Sequence, residues 1–292
     1  MKKLAPSELV LNPDGSVYHL KLKPEHIGQK IIVVGDPGRV ALISSYFDTI
    51  ECKISNREFV THTGMYNGER VSAIATGIGT DNIDIVLNEL DALVNIDLES
   101  RTVKTELTSL DIVRIGTCGA MQKDLPVDSF VMSQYGFGMD GLLNFYQFTP
   151  DKEEETLLHE LMLQTAYSQK ITKPYLVKGS SKLIEKLGEG IAKGITATAP
   201  GFYGPQGRVL RLALNDGQLN DKFTAFQSEE NRVVNFEMET SALYGLSKLL
   251  GHEACTLCVI VANRLANEFS KDYHPAMTKL IQLVLARLTS KG

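Results

Sequence analysis

Three segments of this chain end on small residues and then present a polar side chain: Gly35-Asp36-Pro37-Gly38-Arg39, Thr76-Gly77-Ile78-Gly79 and Arg114-Ile115-Gly116-Thr117. Small residues let backbone N–H groups approach an anion closely. Arg39 and Arg114 each carry a planar fork of donors that matches phosphate oxygens. Taken singly these are weak signals, because Gly-Asp-Pro-Gly is a common turn and a lone arginine is usually solvated. A fourth segment, Phe202-Tyr203-Gly204-Pro205-Gln206-Gly207-Arg208, sets an aromatic beside an amide and a guanidinium. In Asn235-Phe236-Glu237-Met238-Glu239-Thr240 two acids flank a methionine. They read either as acids favoured by a helix N-terminus or as a carboxylate placed to accept hydrogen bonds from vicinal sugar hydroxyls. Asn263-Arg264 follows a long apolar run.

The elements that must hold these residues alternate between strand and helix patterns. Residues 31–34 are a short apolar run, followed by a helical stretch from Arg39. Residues 59–63 and 70–76 flank Asn67-Gly68, a strong hairpin signal. Ile83, Val86, Leu87, Leu90 and Val94 fall at helical spacing, with Asp81 as the expected cap. Strands are expected over 111–115, 128–133, 191–199 and 254–262, and helices over 154–168 and 239–250, the latter stopped by Gly251. Met277, Leu280, Ile281, Val284, Leu285 and Leu288 give the last helix a clean apolar face. Such alternation implies an α/β fold, a mixed central sheet flanked by helices. Residues 95–109 are polar and read as a surface insertion in one domain spanning 1–292.

Composition narrows the class. The formal net charge is −5 and 43% of residues are hydrophobic, ordinary for a globular protein and unlike a nucleic-acid or anionic-membrane binder. Residues 1–11 lack the apolar core of a secretory signal, and no apolar run approaches the ~18 residues that span a bilayer. Cys255 and Cys258 form a C-x-x-C inside a strand pattern, where residues three apart face opposite ways, so they read as buried core cysteines. The expected location is a reducing cytoplasm.

These motifs, taken in order, resemble the uridine phosphorylase branch of the nucleoside phosphorylase family. The likeness runs from Val17-Tyr18-His19-Leu20 through the three strand exits, Arg57-Glu58-Phe59, the Phe202 to Arg208 segment, Glu237-Met238-Glu239 and Asn263-Arg264. The resemblance implies a single-domain nucleoside phosphorylase-like fold and phosphate-dependent, reversible cleavage of uridine to uracil and ribose 1-phosphate. It implies a phosphate site at Gly35, Arg39, Arg114 and Thr117, with Arg57 reaching the same phosphate from a neighbouring subunit. It implies a ribose site of Met238 and Glu239, joined by His19 of the neighbour, and a uracil site of Phe202, Gln206, Arg208 and Arg264. Gln206, Arg208 and Arg114 carry catalysis in this reading. No cofactor is expected beyond inorganic phosphate as co-substrate. The expected assembly is a homodimer with shared sites, or a hexamer built from dimers. Glu58 and Ile78 match a monovalent-cation site of the family, but Asn82 replaces its serine and puts that site in doubt.

The chemistry agrees with these residue types. Uracil presents O2, N3–H and O4 in a row, which an amide and a guanidinium can read, whereas cytosine would leave them mispaired. Donors aimed at O2 and O4 stabilise the departing uracil anion, and phosphate stabilises the oxocarbenium-like sugar, so catalysis is positioning and electrostatics. Purine enzymes of the family place an acid where this chain has Val261-Ala262-Asn263-Arg264, and a hydrolytic nucleosidase would not need the full arginine set. A Rossmann-type binding module is disfavoured because Gly77-Ile78-Gly79 lacks the third glycine and the later ribose-binding acid.

Overall fold

The apolar run Ile31-Ile32-Val33-Val34 forms a fully buried parallel strand, and its neighbours build outward from it. The computed structural model describes residues 3–168 and 171–290. The two ends of the expected 1–292 domain lie outside the described residues. In chain order the strands are β1 (Lys30–Val34), β2 (Thr49–Asn56), β3 (Phe59–Tyr66), β4 (Glu69–Ala75), β5 (Ile96–Asp97), β6 (Thr102–Val103), β7 (Asp111–Ala120), β8 (Phe130–Gly138), β9 (Tyr175–Lys178), β10 (Ala192–Thr198), β11 (Val233–Glu237), β12 (Glu253–Asn263) and β13 (Glu268–Phe269). The helices are α1 (Pro37–Ser44), α2 (Thr80–Asn95), α3 (Lys152–Thr165), α4 (Ser181–Leu187), α5 (Leu219–Ala225), α6 (Thr240–Leu250) and α7 (His274–Leu288).

Eleven strands make one mixed sheet. β1 lies parallel between β4 and β7, and the antiparallel β2–β3–β4 meander extends that side. On the other side the sheet closes on itself. β7 pairs with β12, β12 with β8, β8 with β10, β10 with β11, and β11 returns to β7. The expected flanked sheet is therefore partly a closed barrel, a closure set by long-range pairings that no local pattern carries.

Several elements run longer than their apolar runs predict. β7 continues through Gly116-Thr117-Cys118-Gly119 because β12 pairs alongside it residue by residue, as in Cys258 with Gly116 and Val259 with Thr117. Ladder hydrogen bonds there outweigh the poor strand propensity of glycine. The cap of α2 is Gly79 rather than the expected Asp81, which sits in the first turn. Gly79 has φ +98°, a conformation that side chains resist. Gly251 ends α6 at φ +80°, as expected.

The apolar faces behave as their spacing predicts. Met277, Leu280, Ile281, Val284, Leu285 and Leu288 of α7 are each at most 2% exposed, and burying such a side chain contributes roughly 1.5–3 kcal/mol. Cys255 packs in the core beside Val113, while Cys258 lies in a separate cluster with Cys118. All four cysteines are free. Burial pushes the Cys255 thiol upward, so it is held as an inert thiol.

Residues 95–109 carry the short β5–β6 hairpin. This piece grips the N-terminal segment: Leu4 N–H donates to Arg101 O at 2.9 Å, and the Arg101 guanidinium donates to the carbonyls of Leu4 and Leu9. No described helix is long and apolar enough to cross a membrane.

Candidate active site

The C-terminal ends of β1, β7 and β11 converge on a cavity of about 550 Å³, lined by Gly35, Arg39, Arg114, Thr117, Phe202, Gln206, Arg208, Met238 and Glu239 among others. Carboxyl ends of strands are where ligands sit in α/β sheets, and this volume suits a small organic molecule. The cavity therefore gathers four expected phosphate residues, two ribose residues and three base residues.

Arg114 and its carboxylates form the most buried polar group of the site. Arg114 is 5% exposed. Its guanidinium folds back over Gly116, where an added Cβ would lie 2.2 Å from Nη1; only glycine leaves this space. Nη2 pairs with Glu239, Nη1 lies 3.3 Å from Glu237 Oε2, and Nη1 also meets Cys258 Sγ at 3.6 Å. Nε is buried without a hydrogen-bond partner. Burial alone would push the Arg114 pKa down, but Glu239 and then Glu237 outweigh it and the net shift is upward. Arg39, the third residue of α1, donates to Ile115 O at 3.2 Å. Its pKa is lowered by burial and by the nearby Arg114. Two arginines are thus held close despite their mutual repulsion, with the carboxylates of Glu237 and Glu239 balancing Arg114.

Glu237 is a residue to which the sequence reading gives no role of its own, whereas Glu239 is expected at the ribose. It is 3% exposed and accepts from Thr198 Oγ1 at 2.7 Å, from Glu239 N at 2.9 Å and from Thr240 N at 3.0 Å. These bonds satisfy orphan amides at the start of α6. Glu239 is held less: Oε1 accepts from Gly79 N at 2.8 Å and Oε2 takes Arg114. Burial raises the Glu239 pKa, with Arg114 opposing and Glu237 adding to the rise. The bracketing of Met238 by acids was the available signal. What distinguishes the two acids is their hydrogen bonding, which requires the fold.

The second polar cluster is built on one loop. Gln206 is 4% exposed, and its Oε1 accepts from Arg208 Nη1 at 2.6 Å. The Arg208 guanidinium lies over the Phe202 ring at 3.7 Å, a cation–π stack, and donates to Phe202 O at 2.5 Å. Burial lowers the Arg208 pKa, and nearby Arg264 adds to this. Arg264, expected in the base pocket, is not among the residues lining the cavity. It stands behind the loop, donating to Gln206 O at 2.5 Å and Gly207 O at 3.4 Å. Asn263 shapes the turn that carries it, donating to Gln122 O and Leu125 O and accepting from Leu265 N and Ala266 N. Val261, Ala262 and Phe269 form an apolar wall without an acid.

His19 and Arg57 do not line this cavity. They stand together elsewhere on the chain: Arg57, at the β2–β3 turn, lies 5.3 Å from the Tyr18 ring, and Tyr18 packs edge-on to His19. Ile78 lines the cavity and is 66% exposed. Glu58 and Asn82 both pack on Gly77, with the Asn82 amide nitrogen the nearer. Among the described residues no group of three or more His, Cys, Asp or Glu side chains is placed to hold a metal ion.

Comparison with known proteins gives a consistent frame. The family model of the phosphorylase superfamily matches residues 29–289. A uridine phosphorylase of Thermococcus kodakarensis is 29% identical over 277 residues, covering 93% of this chain and 86% of that protein. A DeoD-type purine nucleoside phosphorylase of Oceanobacillus iheyensis is 30% identical over 252 residues, covering 86% and 88%. The crystal structure of a Trypanosoma brucei nucleoside phosphorylase that shows uridine phosphorylase activity superposes with a TM-score of 0.89 at 31% identity, covering 97% of this chain and all of that one. With a partly closed mixed sheet, a paired-arginine cavity at its strand ends and a family match over nearly its whole length, the chain belongs to the phosphorylase superfamily.

Proposed function

We propose that this protein is a uridine phosphorylase, a pentosyltransferase that splits uridine with inorganic phosphate into uracil and ribose 1-phosphate, and runs in reverse. The observation that carries this reading is one cavity holding both an Arg39–Arg114 pair and a Gln206–Arg208 pair whose amide is buried. A phosphate dianion suits the first pair, with Gly35 and Thr117 beside it. The second pair suits uracil: the Gln206 amide and Arg208 can meet O2, N3–H and O4 while Phe202 packs beside the base. The Thermococcus and Trypanosoma relatives point the same way, and the wall of Val261, Ala262 and Phe269 offers no acid to a purine.

The mechanism follows from charge. Phosphate replaces the Glu239 carboxylate at Arg114, and Glu239 turns to the ribose hydroxyls alongside Met238. Glu237 stays with Arg114, so the guanidinium is never without a counterion. As the glycosidic bond breaks, Gln206 and Arg208 stabilise negative charge on uracil, and phosphate stabilises the cationic sugar before its oxygen bonds to C1′. Donors already aimed at developing charge lower the barrier because they need no reorganisation. No covalent enzyme intermediate and no cofactor is needed.

His19 and Arg57 lie outside the cavity of their own chain, which fits their delivery to a twofold partner's site. We therefore assign a homodimer with shared sites, its interface isologous, working in the cytoplasm. The test is uracil release from uridine with and without phosphate. The expected result is release only with phosphate, and formation of uridine from uracil and ribose 1-phosphate. Equal rates in phosphate-free buffer would make the protein a hydrolase.

A further inference from the structure

The His19 segment is docked by one carboxylate from a helix 70 positions away in the chain. Glu89, in the middle of α2, accepts from His19 N at 2.9 Å and from Leu20 N at 2.8 Å. Its Oε1 is also 2.7 Å from His19 Nδ1. Asn56 Nδ2 donates to His19 O at 2.7 Å, so the residue is held on both sides of its backbone. Tyr18 and Phe59 stand edge-on to the imidazole at 4.8 and 6.5 Å.

Two backbone bonds would be enough to dock the segment. The third bond reaches the ring and fixes more than position. An ionised carboxylate only accepts hydrogen bonds, so Nδ1 must carry the proton in that contact. A neutral imidazole held this way turns Nε2 outward as an acceptor, and the flanking rings limit its swing. A ring that must reach across a subunit boundary gains from such restraint, since small misplacements of a contact group are costly. A histidine ligand of a metal is oriented by a carboxylate on its far nitrogen by the same logic.

We propose that Glu89 is a positioning residue that sets the tautomer and direction of His19, and through it the reading of the ribose 5′-hydroxyl. This rests on the reading of His19 as the ribose contact of a uridine phosphorylase. Neither amide orientation of glutamine at this position serves all three donors. One places a donor against Leu20 N–H. The other places it at Nδ1 and moves the ring proton to Nε2. Aspartate keeps the charge but draws it back from the ring.

The test compares kcat/KM for uridine and for 5′-deoxyuridine, which lacks the contacted group. The wild-type enzyme should prefer uridine by about tenfold, the size of one well-made hydrogen bond. His19→Ala should remove most of that preference. Glu89→Gln should bring the ratio to within about twofold of the His19→Ala value, and Glu89→Asp should fall between; if the glutamine variant fails to fold, the aspartate variant decides. A wild-type ratio in the Glu89 variants, with the preference lost in His19→Ala, overturns the positioning role and leaves the ribose reading standing. A wild-type ratio in His19→Ala itself removes the ribose reading of His19 and this inference with it. A fall in both substrates by one common factor marks Glu89 as scaffold alone and also overturns the proposal.

Discussion

Replacing Glu237 by glutamine changes a single atom, yet it should cost both stability and turnover. Every group around the Glu237 carboxylate is a donor: Thr198 Oγ1, the amides of Glu239 and Thr240, and Arg114 Nη1 at 3.3 Å. A glutamine must point its Nε2 at some of them. Placed where Oε2 stands, it confronts Glu239 N–H and the Arg114 guanidinium. Placed where Oε1 stands, it loses the bond from Thr198 and half of the shared bond from Thr240 N–H, which Oε2 also accepts at 3.0 Å. Either way at least one charge-assisted bond goes, at about 1.5–3 kcal/mol, and a buried donor is left facing a donor. Arg114 also keeps only one of its two carboxylates, and weakening a buried ion pair in this way raises the total toward about 3–5 kcal/mol. For a chain of this size that is a fall in melting temperature of roughly 10 °C. Thermal melts of wild type, Glu237→Gln, Arg114→Met and the double variant measure it. If the loss runs through the pair, the double variant should be more stable than the sum of the single losses predicts, by 1 kcal/mol or more on the scale of contacting pairs. Additive losses, or a Glu237→Gln protein melting within about 2 °C of wild type, a change of no more than 1 kcal/mol on the same scale, would refute the reasoning.

Gln206→Ala should lower kcat/KM for uridine by about 10²-fold, because stabilisation of the leaving uracil anion is removed, and Arg208→Ala should act alike; cytidine and inosine should be poor substrates of the parent enzyme, and good activity on inosine would sink the pyrimidine reading. Arg264→Ala should raise KM by roughly tenfold with a smaller effect on kcat, since it holds the Gln206 carbonyl rather than the base; an equal loss in kcat would place its side chain on the reacting atoms. Arg57→Ala and Arg114→Ala should each be nearly inactive, yet after subunit exchange a statistical mixture should recover about a quarter of wild-type activity, because half the dimers carry both lesions in one pocket. No recovery despite demonstrated exchange would place the two arginines in one subunit's site.

What could be read in the sequence was whatever repeats locally. The α7 face, the Asn67-Gly68 hairpin and the Gly251 stop are short-range patterns, and each stands where its spacing predicts. β2 was missed because it lies at the outer end of the sheet, with its residues exposed or half-buried, so Thr49–Asn56 shows little apolar signal. β9 and α4 are short, with four and seven residues, too few for a period to stand out. The closure of the sheet through β11 and β12 depends on pairing between segments more than a hundred residues apart, and nothing in either strand announces its partner.

The candidate site divides along the same line. Residue types and order pointed to Arg39, Arg114, Gln206, Arg208, Met238 and Glu239, and one cavity gathers them. The supporting contacts were not legible, because each works across a long separation: Glu237 on Arg114 and Arg264 on the Gln206 carbonyl at the cavity, and Glu89 on His19 away from it. Their chemistry is ordinary at each position, an acid near a helix start, an arginine after a strand, an acid inside a helix. Only the fold tells which donor each one faces. A guanidinium buried to 5% exposure cannot stand without carboxylates around it. Arg114 therefore implies its acids physically, and the strength of that demand is what the Glu237→Gln melt measures.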